Sequence, residues 1–278
     1  MNRLLSAGFV RLRKNKTLWF SMIFMALFGI FLAISAYSDY SLFGLKPSLG
    51  RTLFAYGQFI GILISAFSSL FLGMEYSDGT IRNKLIAGHK RITVYLSGLI
   101  LNLAAALLMV LSFQLPLFLL GSALLGIDCF SVEAGSFIFN LAAGFALMAA
   151  YCAIFTFISM LCQKRAVAAV IGILTSFILL FLGAYIMASL SQPEYWDGYS
   201  FTSDTGELVE MEPEPNPHYP RGTKRKVYEF LFDFLPGAQS LRLSEAGLCS
   251  WQPPVYSLAI TVLFSGAGIL LFRKKDLN

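Results

Sequence analysis

Six long apolar runs constrain this 278-residue chain more than any other feature of its sequence. A helix needs about 20 consecutive apolar residues to cross the hydrocarbon core of a bilayer, and every run meets that length without an internal Asp, Glu, Lys or Arg. Only 13% of the residues are charged, whereas soluble domains carry about 25%. We therefore expect a single transmembrane domain, residues 1–278, with spans over residues 17–37, 52–72, 92–125, 137–162, 166–190 and 254–272.

The continuity of these runs predicts an all-α membrane protein with six transmembrane helices. Only helices and closed barrels satisfy the backbone in lipid, and barrel strands show short alternating segments that are absent here. The third run is too long for one straight span. Gln114 and Pro116 lie within it and predict a kink or a shallow extension at that point.

The distribution of charge predicts the orientation of the spans. With both termini in the cytoplasm, the inner segments hold 14 of the 21 basic residues but only 3 of the 16 acidic ones. Basic residues near span ends mark the cytoplasmic side, so we expect a multi-pass protein of the cell membrane with both termini inside. The net charge of +5 is then the ordinary inner charge of such a protein and calls for no nucleic-acid partner.

Two segments outside the spans have an amphipathic pattern. Residues 3–14 alternate apolar and basic side chains, which favours a short helix in the headgroup layer over a frayed basic tail.

The extracellular segment, residues 191–251, begins with an acidic, proline-rich stretch typical of a solvated loop, although it could attract a cationic peptide. Residues 227–235 then predict an outer interfacial helix before the last span, either an anchor or an exit lid.

The cytoplasmic loop between spans two and three, residues 73–91, predicts a helix of two turns. Asp78 or Thr80 can cap its start, and Gly88 can end it. Ile81 and Leu85 are one turn apart and share one side. A helix of this length is unstable alone in water, so it needs lipid or another protein to lie on.

The same loop reads Glu-Tyr-x-x-Gly-Thr-Ile-Arg-Asn-Lys-Leu followed by Gly-x-x-Arg. This motif of about 20 residues resembles the first cytoplasmic loop of bacterial type-2 ABC transporter permeases, in particular small permeases of bacitracin and lantibiotic export or immunity. The six-span plan, the basic N-terminus and the expected short outer interfacial helices before the last span are also similar to that family. In that family the loop is the coupling helix that docks on a separate ATP-binding subunit. The resemblance assigns this contact to Glu75, Gly79, Thr80, Arg82, Asn83, Lys84, Leu85, Gly88 and Arg91.

The resemblance implies a permease subunit that exports a peptide antibiotic or a similar amphipathic compound and so confers antibiotic resistance. No Gly-x-x-x-x-Gly-Lys-Ser/Thr motif occurs in the chain. We therefore expect no enzyme activity in this chain and expect a partner, an ABC ATP-binding subunit, to bind ATP and Mg. The resemblance also implies a second permease subunit, identical or related. The alternative is a membrane sensor or scaffold that holds a cytoplasmic partner through the same loop. The cations of the loop could also simply follow the positive-inside rule.

Few other residues carry a chemical signal. The spans hold no acidic residue, which argues against an ion-driven carrier, and His89 and His218 fall on opposite sides, so no metal site is expected. Cys129 and Cys249 both lie outside and could form a disulfide. Four polar side chains in the spans could bond helix to helix or face a substrate path: Gln58, Asn102, Gln114 and Asn140.

Overall fold

A computed structural model describes residues 1–44, 46–162, 164–196, 200–202, 208–210, 213–245, 247–248 and 250–274. Over these residues the chain forms ten α-helices and four strands of two or three residues each. Six of the helices are long and apolar enough to cross a membrane. The predictions of an all-α fold and of six spans are therefore confirmed.

The six long helices extend beyond the predicted apolar runs at several ends. The second helix, for example, continues six residues past Tyr37 and ends only where Gly44 adopts a left-handed φ of 69°. Hydropathy locates the part of a helix that suits lipid, whereas backbone hydrogen bonding continues into the polar layer until a residue such as glycine ends it. The bounds are α2 Lys16–Phe43, α3 Gly57–Ser77, α5 Arg91–Leu125, α6 Ala134–Leu161, α7 Arg165–Leu190 and α10 Gln252–Lys274.

Helix α5 runs unbroken through Pro116 for 35 residues. At 1.5 Å per residue this is about 50 Å, well beyond the ~30 Å hydrocarbon core. The extra length therefore supports the extension that was predicted as one alternative for this run. Near Pro116, Gln114 donates its side-chain N–H to the carbonyl of Leu53 at 3.2 Å, which ties α5 to the turn before α3.

Helices α3 and α6 form the centre of the bundle. In their apolar windows 61% and 67% of the residues are buried, against a third or less in the other four spans. Helix α3 packs on α6 and α7, α6 also packs on α10, and α2 packs mainly on α5. Large side chains fill the core, among them Phe67, Phe71, Tyr95, Phe113 and Phe155. The apolar outer faces of α2, α5, α7 and α10 are left for lipid, as hydrophobic spans require.

The predicted N-terminal helix is present as α1, Asn2–Arg13. Its apolar side chains divide between two surroundings. Leu4 and Leu12 are buried, and the helix packs against α5, whereas Phe9 and Val10 are exposed. The helix is therefore docked on the bundle by part of its apolar face, with the other part left at the surface.

The segment between α7 and α10 contains more structure than a solvated loop. Two antiparallel ribbons pair β1 (Tyr195–Trp196) with β4 (Glu214–Pro215) and β2 (Ser200–Thr202) with β3 (Leu208–Glu210). Helix α8, Thr223–Phe234, corresponds to the predicted outer helix. A further helix, α9, follows at once over Pro236–Glu245.

Helix α9 is buried against the bundle. Ala238, Ser240 and Leu243 are almost fully buried where α9 packs on α3, α6 and α7. A Cβ at Gly237 would overlap the carbonyl of Leu179 in α7, so only glycine permits this close approach. The sequence prediction ended the outer helix at Pro236-Gly237, but proline at the first position of a helix starts a new one here.

Candidate functional site

The loop between α3 and α5 folds into the predicted short helix, α4, Thr80–Ile86. The residue before it is Gly79, in a left-handed conformation with a φ of 65°, and no side chain caps the helix start. The predicted capping by Asp78 or Thr80 is therefore wrong. The Thr80 hydroxyl instead donates to the carbonyl of Glu75 at 3.0 Å, because the left-handed turn folds α4 back towards the end of α3.

The predicted end of α4 at Gly88 is confirmed. Gly88 has a φ of 85°, and its N–H donates to the carbonyl of Leu85 at 3.0 Å. The N–H of His89 donates to the carbonyl of Lys84 at 3.2 Å. These two bonds form a Schellman motif, which satisfies the last carbonyls of the helix and needs a residue that tolerates positive φ.

The underside of α4 rests on the protein itself. Ile81 is buried in the main hydrophobic core, and Leu85 is half-buried and packs against that core. The two residues share one face, as their spacing predicts. This contact supplies the surface that a seven-residue helix needs in order to form.

A buried carboxylate ties α4 to two other helices. Glu75, near the end of α3, is only 2% exposed, and its Oε1 accepts hydrogen bonds from Arg11 of α1 and from Lys84 of α4, the latter at 2.7 Å. The Arg11 guanidinium also lies over the Phe71 ring, 4.8 Å from its centroid. Burying a carboxylate is costly unless cations pair with it, so α1, α3 and α4 are held to one another at this point. We call Arg11, Glu75 and Lys84 the Glu75 triad.

The two ends of the loop hold neighbouring spans. The Tyr76 hydroxyl donates to the carbonyl of Met160 at the end of α6, at 2.5 Å. Arg91 donates to the carbonyls of Phe272 and Arg273 at 3.1 and 3.2 Å. A cation at these carbonyls also suits the negative end of the α10 dipole. The loop therefore contacts the ends of α6 and α10 as well as α1.

One face of α4 is left exposed and points away from the bundle. It carries Arg82, Asn83 and Ile86, and Ile86 is 75% exposed. Within the described residues Arg82 makes no ion pair. A large apolar side chain beside a free cation and an amide is a combination that suits a protein contact.

The structure divides the residues of the predicted coupling contact into four groups. Arg82 and Asn83 lie on the exposed face, whereas Glu75, Lys84 and Leu85 face inwards. Gly79, Thr80 and Gly88 shape the turns, and Arg91 holds α10. Sequence reasoning missed Ile86 and Arg11. The spacing of Ile86 one turn after Arg82 is a signal that could have revealed it, whereas Arg11 is 64 residues from Glu75 and carries no such signal.

The four polar residues of the spans lie at helix contacts. Asn102 is fully buried and donates to Ser68 and, at 2.7 Å, to Thr156, which joins α3, α5 and α6. Gln114 bonds to Leu53 as described above, and the Asn140 carbonyl oxygen accepts from the N–H of Leu248 at 2.6 Å. Gln58 is half-buried and lines a narrow gap beside Tyr151 of α6 and Ser240 of α9. Three of the four therefore bond one segment to another.

The predicted disulfide involves Cys249, which lies outside the described residues. Its proposed partner, Cys129, is buried in the turn after α5, where its thiol donates to the carbonyl of Gly126 at 2.9 Å. Burial raises the pKa of the Cys129 thiol. The disulfide stays a prediction.

Among the described residues no group of three His, Cys, Asp or Glu side chains could hold a metal ion. Comparison with known families finds no family model that matches the chain, and no curated protein matches it either.

Proposed function

We propose that this chain is the membrane-spanning permease subunit of an ABC transporter, moved by a separate ATP-binding subunit that docks on α4. The observation that carries the proposal is the two-sided character of this helix. Its underside is fixed to the bundle through Ile81, Leu85 and Lys84, and its outer face presents Arg82 and Ile86 without a partner among the described residues.

This arrangement suits the transfer of movement. A displacement of α4 acts on Glu75 through Lys84, and Glu75 belongs to α3, one of the two central helices. The same carboxylate holds α1 through Arg11, and the loop holds the ends of α6 and α10. A subunit that binds the outer face of α4 can therefore favour one arrangement of the spans over another, which is what coupling requires.

The remaining parts of the proposal follow from the loop motif and the charge distribution. We propose that the ATP-binding subunit holds ATP and Mg, that a second permease subunit completes the transport path, and that both termini lie in the cytoplasm of a bacterial cell. The proposed cargo is a peptide antibiotic or a similar amphipathic compound. The apolar faces of the outer spans offer area for lipid and for a second subunit alike.

The test is copurification of the tagged chain from its native membranes in mild detergent, with the bound proteins identified by mass spectrometry. We expect an ATP-binding subunit and ATP hydrolysis by the complex. Ile86→Asp should remove both, because it places a charge in an apolar contact. The matched control is Ile127→Asp, since Ile127 is 72% exposed at the opposite end of the bundle and should leave the complex intact.

Two results would count against the proposal. If no ATP-binding subunit copurifies with the unaltered chain, the assignment of α4 as its docking site is lost. If the complex survives Ile86→Asp with unchanged ATP hydrolysis, another surface makes the contact. A complex that forms through α4 but contains a partner without ATPase activity would favour the sensor or scaffold function instead.

A further inference from the structure

The end of the bundle opposite α4 contains an open cavity of about 1160 Å³. We call it the far-end cavity. Three connections form it: the segment between α2 and α3, the segment between α5 and α6, and the segment between α9 and α10. Its apolar walls come from the aromatic side chains Phe54, Phe137, Phe139 and Trp251.

Hydrogen bonds fix the three connections to one another. The N–H of Leu49 donates to the carbonyl of Cys129 at 2.7 Å, which joins the first connection to the second. The side chain of Asn140, in the second turn of α6, accepts from the N–H of Leu248 at 2.6 Å, which joins α6, and through it the second connection, to the third. The cavity is therefore a formed feature of this end of the bundle, because its walls are bonded together and do not depend on one loop alone.

The cavity is lined by charged groups of both signs that do not neutralise each other. Arg51 supplies a guanidinium, and Glu133 and Glu245 supply two carboxylates. In the part of the chain that the structure describes, none of the three takes part in an ion pair. Glu133 accepts one hydrogen bond, from the Ser136 hydroxyl at 3.0 Å. The buried hydroxyl oxygen of Ser250, another lining residue, has no hydrogen-bond partner among the residues that the structure describes.

Arg51, Glu133 and Glu245 are exposed to solvent, and a ligand that carries both charges can pair with all three. A guanidinium matches a phosphate, to which it can donate two parallel hydrogen bonds. An ammonium group has three donors and can serve both carboxylates. A ligand with one charge only would pair with the groups of one sign and repel those of the other. The volume exceeds that of a headgroup, so the aromatic walls can also receive part of an acyl chain.

The position of the cavity agrees with a lipid ligand. The connections that form it lie at the ends of apolar spans, where a bilayer presents its headgroups. Trp251 is exposed at the rim, and tryptophan prefers this interfacial layer. We propose that the far-end cavity binds the headgroup of a zwitterionic aminophospholipid, with Arg51 on the phosphate and with Glu133 and Glu245 on the ammonium. This goes beyond the proposed function and stands whether or not the chain couples to an ATPase.

The test uses the purified full chain in neutral maltoside micelles. Trp19→Phe and Trp196→Phe leave Trp251 as the single tryptophan, whose fluorescence reports on the cavity. Dihexanoyl phosphatidylethanolamine is titrated, with dihexanoyl phosphatidylglycerol as the anionic lipid without an ammonium. We expect saturable binding of the ethanolamine lipid, at least tenfold tighter than that of the glycerol lipid, because only the first satisfies both carboxylates.

Substitutions then separate the two halves of the headgroup. Arg51→Gln and the double change Glu133→Gln with Glu245→Gln should each weaken binding of the ethanolamine lipid about tenfold, the loss expected for a charge-assisted contact. The matched controls are Arg221→Gln and Glu194→Gln, which change exposed charges that do not line the cavity. Size-exclusion profiles identify any variant that fails to fold. A control peptide of alternating Lys and Leu tests a purely cationic ligand.

Three outcomes would overturn the proposal. A fluorescence change that never saturates shows partition into the micelle only. Equal affinity for the ethanolamine and the glycerol lipid shows that the carboxylates do not bind the ammonium. Tight binding of the Lys-Leu peptide that Arg51→Gln strengthens shows a site for cationic peptides instead. If Arg51→Gln misfolds, the glutamate pair and the comparison of lipids still decide the question.

Discussion

The Glu75 triad offers the sharpest test of how α4 is attached to the bundle. In Glu75→Gln the side chain keeps its shape but loses the charge that faces Arg11 and Lys84. Breaking a fully buried ion pair by removing one partner costs about 3–5 kcal/mol. Here the cations are 35% and 21% exposed and can regain water, so the cost should be smaller. We expect Glu75→Gln to lower the free energy of unfolding by about 2 kcal/mol.

The assay is reversible unfolding in mixed micelles, followed by the loss of helical circular dichroism. Arg11→Gln should cost less in the Glu75→Gln background than in the unaltered chain, because the ion pair is already gone and only the contact with Phe71 is left to lose. The control is Glu229→Gln, which breaks an exposed pair with Arg225 one helical turn away and should cost less than about 0.5 kcal/mol. Additive losses from Arg11→Gln and Glu75→Gln, or a cost of Glu75→Gln no larger than that of the control, would refute the reasoning.

Three further perturbations test the packing of the bundle. Gly237→Ala should lower the free energy of unfolding by about 2–4 kcal/mol, because the Cβ of the alanine would overlap the Leu179 carbonyl. Thermal unfolding in detergent measures this loss, and an unchanged unfolding midpoint would contradict the close contact. Asn102→Leu should cost about 1 kcal/mol in the same assay through its lost bond to Thr156, and a gain in stability would contradict that role. Alkylation of Cys129 by a maleimide should be slow near pH 8 in the folded chain, because the raised pKa of the thiol leaves little thiolate. The rate should increase as the pH rises. A rate equal to that of the unfolded chain would contradict the burial of Cys129.

Hydropathy was enough to predict the bundle, because a bilayer leaves few alternatives to a long apolar helix. It could not predict the exact ends of α2, since Gly44 and the hydrogen bonds before it act beyond the apolar run. It also could not locate α9 among the residues before the last span, because the buried face of this helix is built from Ala238, Ser240 and Leu243 around one glycine contact. Small side chains that pack closely carry little hydrophobic signal, so their burial becomes visible only in three dimensions.

The candidate site was predicted only in part, because some of its contacts also depend on the tertiary structure. Local signals, the spacing of Ile81 and Leu85 and the glycine at position 88, were sufficient for the existence and the end of α4. The role of Glu75 depends on Arg11, which approaches from a different helix, and no local pattern indicates such a pair. The inward direction of Leu85 and the outward direction of Ile86 depend on how α4 lies on the core. That placement is a property of the tertiary structure.

The central claim is that the exposed face of α4 docks an ATP-binding subunit. The most direct measurement places a photo-cross-linking amino acid at position 86, and separately at position 127 at the other end of the bundle, in cells that make the native partner. We expect irradiation to join an ATP-binding subunit to the chain from position 86 and not from position 127. Adducts from 86 that contain only lipid, or the same adduct from both positions, would contradict the claim.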